Sequence, residues 1–149
     1  MDCACATSST TEDSLMLIHN YALFWRRENI FWGRPKVSGH LKGFPARKAY
    51  AEVDFREQRG VYVLYDDSFR PVYVGQAGAN DNRHLFDRLK DHTRDALVDR
   101  WTKFSWFGIR WVTKTNKLAS GAEGTHTKAG AVLDHIEAIL ISTIEPTHN

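Results

Sequence analysis

The sequence predicts a small α/β domain of the α+β kind, a mainly antiparallel three-stranded sheet flanked by helices. Three observations carry this. Two β-branched runs, "GVYVLY" at residues 60–65 and "PVYVG" at 71–75, are separated only by the polar "DDSFR". Two further runs, "HLFDRLKDH" and "AGAVLDHIEAILISTI", carry apolar residues at helical spacing. The aromatic run "KFSWFGIRWV" lies between those helices and sets the order β-β-α-β-α.

Taken in order, residues 1–12 read as a flexible tail rich in serine and threonine, with Cys3 and Cys5. Two thiols one residue apart do not furnish the four ligands of a structural zinc site. With no disulfide framework, a reducing compartment is expected. Residues 13–29, "DSLMLIHNYALFWRREN", read as a helical extension with Asp13 or Ser14 as N-cap and Tyr21, Phe24 and Trp25 in the core. Residues 30–48 then carry Arg34, Lys36, Lys42, Arg47 and Lys48 with no acid. Such a stretch suits a phosphate backbone, and a solvated basic loop accounts for it equally well. "AYAEVDF" alternates as a short strand does. The main module spans 60–149, after an extension of helix plus basic linker at 13–59.

Within the module, a turn at Asp66 to Arg70 joins the first two strands into a hairpin. "QAGANDN" is a small-residue loop ending in the N-cap candidates Asp81 and Asn82. From there to Arg100 the pattern is helical, with Leu85, Phe86, Leu89, Thr93, Ala96 and Leu97 in one stripe. After the aromatic strand, "TKTNKLASGAEGTHTK" is a long polar loop, and the last helix is stopped by Pro146.

A chain of 149 residues suits one compact domain, and a net charge of +2 is too mild to indicate a nucleic-acid binder by itself. No apolar run reaches membrane-spanning length and no signal-peptide core precedes a cleavage site. A cytoplasmic protein with no membrane partner is expected.

Chemistry is easiest to place on the last helix. At 100° per residue, Val132, Leu133, Ile136, Ile139, Leu140, Thr143 and Ile144 share one face, with Asp134 and Glu145 pointing away. Glu137 lies on the border, among Leu133, Leu140, Ile141 and Ile144. A carboxylate there needs a compensating cation, supplied by an arginine or by a metal ion. On the preceding helix Arg88 and His92 stand four apart. They are either a phosphate-binding fork and a proton carrier or a solvated charged edge. Tyr62 and Tyr73 either pack in the sheet or, in a matching register, face one cleft.

Together these pieces resemble the GIY-YIG nuclease family. The two signatures stand here as Gly60-Val61-Tyr62 and Tyr73-Val74-Gly75. The helix-borne arginine is matched by Arg88, the histidine one turn later by His92, the single glutamate of the later helix by Glu137, and an asparagine near the end of the family's module by Asn149. Valine replaces isoleucine in both triplets, and Gln76 stands where some members have lysine. A longer loop makes Arg83 a rival to Arg88, which is preferred because Leu85, Leu89 and His92 surround it. The arginine–histidine step and the glutamate-to-asparagine interval resemble the restriction-endonuclease branch.

The resemblance implies a divalent-metal-dependent DNA endonuclease, of restriction or defence type. Glu137 would hold one Mg2+ or Mn2+ per site. Tyr62 would act as general base or position the water, with His92 taking its proton. Tyr73 would hold the phosphate or the water network, Arg88 would stabilise charge, and Asn149 would brace the site. Lys42, Arg47, Lys48, Lys114, Lys117 and Lys128 would line the DNA backbone. A structure-specific repair nuclease and a catalytically inactive nucleic-acid-binding module are the alternatives. Retention of Tyr62, Tyr73, Arg88 and Glu137 argues against the latter. The oligomeric state is left open, a homodimer included.

Overall fold

The computed structural model describes residues 17–43, 52–78, 82–119 and 129–149. It is an α+β arrangement whose main sheet has four antiparallel strands. These are β1 (Asn20–Arg26), β6 (Gly60–Tyr65), β7 (Pro71–Ala77) and β8 (Lys103–Gly108), in the order β1-β8-β6-β7. Two small two-stranded ladders precede β6: β2 (Phe31–Arg34) with β3 (Val37–His40), and β4 (Lys42–Gly43) with β5 (Val53–Asp54). The helices are α1 (Leu85–Asp91) and α2 (Ala129–Ile144).

The central strand β6 reads as an unbroken apolar run because both of its faces are covered. On one face Tyr62 and Leu64 meet Leu85, Phe86 and Leu89 of α1, together with Phe104 and Trp106 of β8. On the other face Val61 packs with Ile109 and with Leu133 of α2, flanked by Ile136 and Leu140. The helices therefore lie on opposite faces of one sheet. Ala22, Leu41, Val53 and Phe55 belong to the same core as Tyr62, so the segment before β6 completes that core.

The β6–β7 hairpin follows the sequence expectation, turn included. Asp66 Oδ1 accepts from the backbone N–H groups of Ser68 and Arg70, each at 2.9 Å. α2 also runs over the expected residues. Its apolar face is narrower than expected, since Val132 and Ile139 are exposed.

Several expectations are corrected. The helix expected over 13–29 is not formed among the described residues of that stretch. Residues 20–26 are strand β1, the fourth strand of a sheet expected to have three, and Arg27–Asn29 form a 3-10 turn. Pairing with β8 satisfies this backbone, and a bulge between Ala22 and Trp25 breaks the alternation. Ala22 and Trp25, three residues apart, consequently both turn toward the core, which imitates helical spacing, whereas Tyr21 and Phe24, expected in the core, are exposed. Asp13 and Ser14 lie outside the described residues, as does the tail with Cys3 and Cys5.

The basic stretch is likewise not a plain loop through its described part. Pro35 and Lys36 turn β2 back onto β3, with Lys36 at a φ of 67°. The expected strand around "AYAEVDF" is present as the short β5.

The helix expected to run to Arg100 stops at Asp91, and its N-cap is His84 rather than Asn82, Asp81 being outside the described residues. Thr93 closes it: its N–H bonds to the Lys90 carbonyl at 3.1 Å and its hydroxyl to the same oxygen at 2.6 Å, a tightened last turn. Thr93, Ala96 and Leu97 thus lie in turns beyond α1.

Candidate functional site

The hairpin register places the two tyrosines. Tyr62 is opposite Gly75 and Leu64 is opposite Tyr73, so Tyr62 and Tyr73 are diagonal neighbours on one face of the sheet. Gly75 makes the room. A Cβ there would sit 2.6 Å from Cζ and Oη of Tyr62 and 2.7 Å from Cε1 of Tyr73. Gly60 is required for a different reason, since a Cβ on it would lie 1.9 Å from the Phe107 carbonyl oxygen of β8.

His92, the C-cap of α1, turns its ring toward this pair. The ring centroids of Tyr62, Tyr73 and His92 form a triangle, with 6.1 Å between the tyrosines and 5.7 and 4.8 Å from each to His92. Tyr62 Oη lies 2.8 Å from His92 Nε2, inside the core. The other ring nitrogen, Nδ1, is 2.7 Å from Asp95 Oδ2. The His92 carbonyl accepts from the indole N–H of Trp101 at 3.0 Å, which anchors the backbone that carries the ring.

Electrostatics ties further residues to this triangle. Burial pushes the Tyr62 phenol well above its ordinary range, with Tyr73 adding to the shift, Arg88 opposing it, and Glu137 and Asp95 reinforcing it. Tyr73 is raised too, first by burial and then by Glu137, again with Arg88 opposing. Burial therefore keeps Tyr62 a neutral phenol at neutral pH. Arg88 and Glu137 come from helices on opposite faces, yet the charges of both act on these tyrosines.

Glu137 is itself raised by burial and by Asp134, and lowered by Gln76 and Arg88. Gln76 Nε2 donates to Glu137 Oε2 at 2.8 Å and to Asp134 Oδ1 at 2.6 Å. One amide nitrogen thus holds two carboxylates from successive turns of α2.

Asn149 performs a backbone task. Its Oδ1 accepts from the Val74 N–H and its Nδ2 donates to the Val74 carbonyl, both at 2.6 Å. β7 is the edge of the sheet here, and the asparagine pairs both outward-facing groups of Val74 as a neighbouring strand would. The His148 N–H extends this by bonding to the Val72 carbonyl at 2.9 Å.

The fold therefore brings Tyr62, Tyr73 and His92 together on one face of the sheet and Asn149 onto the β7 edge, while Arg88 and the Gln76-bonded Glu137 are near enough for their charges to act on the tyrosines. Arg83, the rival to Arg88, is instead ion-paired with Asp91 at 2.5 Å. The basic residues are less unified. Lys42 is paired with Glu52 at 3.6 Å, Lys114 and Lys117 are exposed, and Arg47, Lys48 and Lys128 lie outside the described residues.

Two interactions escape a reading of the sequence. Asp95 is three residues from His92 in a segment that reads as continuous helix, and only the spacing His-x-x-Asp hints at it. Gln76 pairs with α2 across about sixty residues of chain, with no local signal. Among the described residues no group of three or more His, Cys, Asp or Glu side chains is placed to share a metal ion, and no helix is long and apolar enough to cross a membrane. Comparisons with protein-family profiles, with curated proteins and with solved structures found no match to the chain.

Proposed function

We propose that this chain is a divalent-metal-dependent DNA endonuclease of the GIY-YIG type, hydrolysing phosphodiester bonds. The observation that carries the reading is the 2.8 Å contact between Tyr62 Oη and His92 Nε2, in a site where Tyr73, Arg88 and Glu137 all act on the same phenol. A core tyrosine needs one hydrogen bond; it does not need an arginine and a glutamate drawn from opposite faces of the sheet.

A phosphate bound beside Arg88 and the half-buried Tyr73 would be attacked by a water that enters beside the buried Tyr62 hydroxyl. As the new P–O bond forms, the water's proton moves to the phenolic oxygen while the Tyr62 proton moves to His92 Nε2. The phosphorus–O3′ bond breaks, and the departing 3′ oxygen takes its proton from solvent. Tyr62 is neutral before and after this exchange, which its raised pKa favours. Arg88 offsets the charge gathering on the non-bridging oxygens.

Glu137 fits the role of metal holder. Burial and Asp134 leave its charge under-compensated, the condition a cation relieves. Hard carboxylate oxygens suit Mg2+ or Mn2+, and so few of them imply a weakly held ion whose remaining ligands are water and phosphate. When bound, the ion supplies Lewis-acid stabilisation of the developing phosphate charge.

The Arg88–His92 step favours a restriction or other defence enzyme within this reading. DNA would be held along the exposed Lys114 and Lys117, with Arg47, Lys48 and Lys128, while Lys42 would have to leave Glu52. The test is single-turnover incubation with linear, nicked and branched duplexes, in magnesium and in chelator, with product ends mapped. Magnesium-dependent cuts leaving a 3′ hydroxyl support the reading. Preference for branched duplexes would redirect it to a structure-specific nuclease. DNA binding without any cleavage would replace it with a binding module.

A further inference from the structure

We infer that Asp95 is a positioning residue that fixes which nitrogen of His92 carries the proton, and so keeps His92 an acceptor toward Tyr62. The inference rests on the nuclease reading for its kinetic consequence and on geometry alone for the tautomer.

An ionised carboxylate is an acceptor only. Asp95 Oδ2, 2.7 Å from His92 Nδ1, therefore requires a proton on that nitrogen. In the neutral ring this leaves Nε2 bare, and Nε2 is the atom 2.8 Å from Tyr62 Oη. The hydroxyl is consequently the donor and its proton points at the imidazole. The opposite tautomer would reverse the bond, with His92 donating to Tyr62 and no longer able to take its proton. When the proton does transfer, Asp95 faces the resulting imidazolium and stabilises it, which is the logic of a carboxylate behind a catalytic histidine.

Asp95 is itself held in place. Its other oxygen, Oδ1, accepts from the Leu97 N–H at 2.8 Å, in the turn that follows α1. The two carboxylate oxygens therefore have separate duties, one to the backbone and one to the ring. This division makes the asparagine variant informative. In Asp95→Asn the side-chain oxygen stays on the Leu97 N–H, because turning the amide would set donor against donor. The amide NH2 then faces His92 Nδ1. The backbone amide cannot change its role, but the ring can move its proton. His92 should answer by shifting the proton to Nε2.

The experiment uses the full chain, labelled with nitrogen-15, and two-bond proton–nitrogen spectra of the imidazole rings. His92 signals are identified by their loss in His92→Gln. The wild type is expected to show a protonated Nδ1 and a bare Nε2, Asp95→Asn the reverse, and Asp95→Ala a mixture. Single-turnover cleavage is measured on the same proteins. Asp95→Ala should be slower than wild type by about tenfold. Asp95→Asn should be slower still, toward the ~10²–10⁴-fold that loss of an acid–base group typically costs. A purely structural Asp95 gives the opposite order, since asparagine keeps the Leu97 bond and alanine loses it. The inference is overturned if the wild-type proton resides on Nε2, if Asp95→Asn leaves the tautomer unchanged, or if Asp95→Asn cuts as fast as Asp95→Ala. A wild type that cuts no DNA would remove the nuclease reading, and the spectra would still decide whether Asp95 sets the tautomer.

Discussion

Tyr62→Phe separates the chemistry of this site from its packing. The substitution keeps the ring that fills the space opposite Gly75 and keeps the contacts of β6 with α1 and β8. It removes one atom, the oxygen 2.8 Å from His92 Nε2. His92 is only 8% exposed, so its nitrogen loses a partner that water does not readily replace. A buried hydrogen bond is worth ~0.5–1.5 kcal/mol net, and a stranded partner costs ~1–3 kcal/mol. The expected loss of stability is about 1–2 kcal/mol, a fall in melting temperature of roughly 2–8 °C for a domain of this size. The kinetic effect is larger. Without the hydroxyl the water has no route to His92, and general acid–base contributions of this kind are ~10²–10⁴-fold, or about 3–5 kcal/mol of barrier. Single-turnover cleavage beside a thermal melt and a DNA-binding titration resolves the two effects. Loss of cleavage with nearly wild-type binding is expected. Cleavage at the wild-type rate would refute the proton route and return Tyr62 to the core as a packing residue.

Gly75→Ala should place its methyl against both tyrosines, at 2.6 and 2.7 Å before relaxation. Overpacking of this kind costs ~1–3 kcal/mol, and cleavage should fall at least tenfold as Tyr62 is pushed from His92. A folded, fully active variant in the same assays would contradict this. Asn149→Asp should replace a donor to the Val74 carbonyl with an acceptor, destabilising the β7 edge by about 1 kcal/mol and speeding hydrogen exchange at Val74. An unchanged exchange rate would show that Asn149 does not hold that edge. Glu137 has its carboxyl raised from the ordinary 4.5 by burial and Asp134, so between that value and its folded pKa the folded chain binds more protons than the unfolded chain. Metal-free stability therefore falls as pH rises through this window. Glu137→Gln should remove that dependence and melt no lower than wild type at neutral pH, and a clear drop would mark a structural ion pair instead. Neutralising Arg47 and Lys48 together should lower the salt slope of DNA affinity by about one to two, whereas an unchanged slope would show that these two side chains do not neutralise phosphates.

The parts of the fold that could be read from the sequence were those whose pattern is local and regular. "GVYVLY" and "PVYVG" are β-branched runs, Asp66 supplies a side-chain acceptor for its own turn, and α2 carries apolar residues at helical spacing up to Pro146. Local irregularity hid the rest. In β1 a bulge with Phe24 at a φ of 55° puts Ala22 and Trp25 on the core side at a spacing of three, which a helix also produces. The apolar positions of α1 continue through Leu97 although Thr93 has already closed the helix, so the pattern outlasts the backbone that made it. The β2–β3 hairpin is built from Gly33, Pro35, Ser38 and Gly39, a composition that reads as loop. For the site, residue types and order pointed to Tyr62, Tyr73, Arg88, His92 and Glu137. Their convergence depends on the β6–β7 register and on two helices meeting around one strand edge, neither of which is written in any single segment. Asp95 and Gln76 matter only through that convergence.

Phosphodiester hydrolysis at this site would depend on a metal ion held by Glu137. Nicking of supercoiled plasmid tests it most directly, with wild type and Glu137→Gln prepared alike, each in magnesium and in chelator, and each checked for DNA binding. The expected result is nicking by the wild type in magnesium alone, and a Glu137→Gln protein that is folded and binds DNA but leaves the plasmid supercoiled. Nicking by Glu137→Gln at the wild-type rate, or nicking by the wild type that persists in chelator, would contradict it.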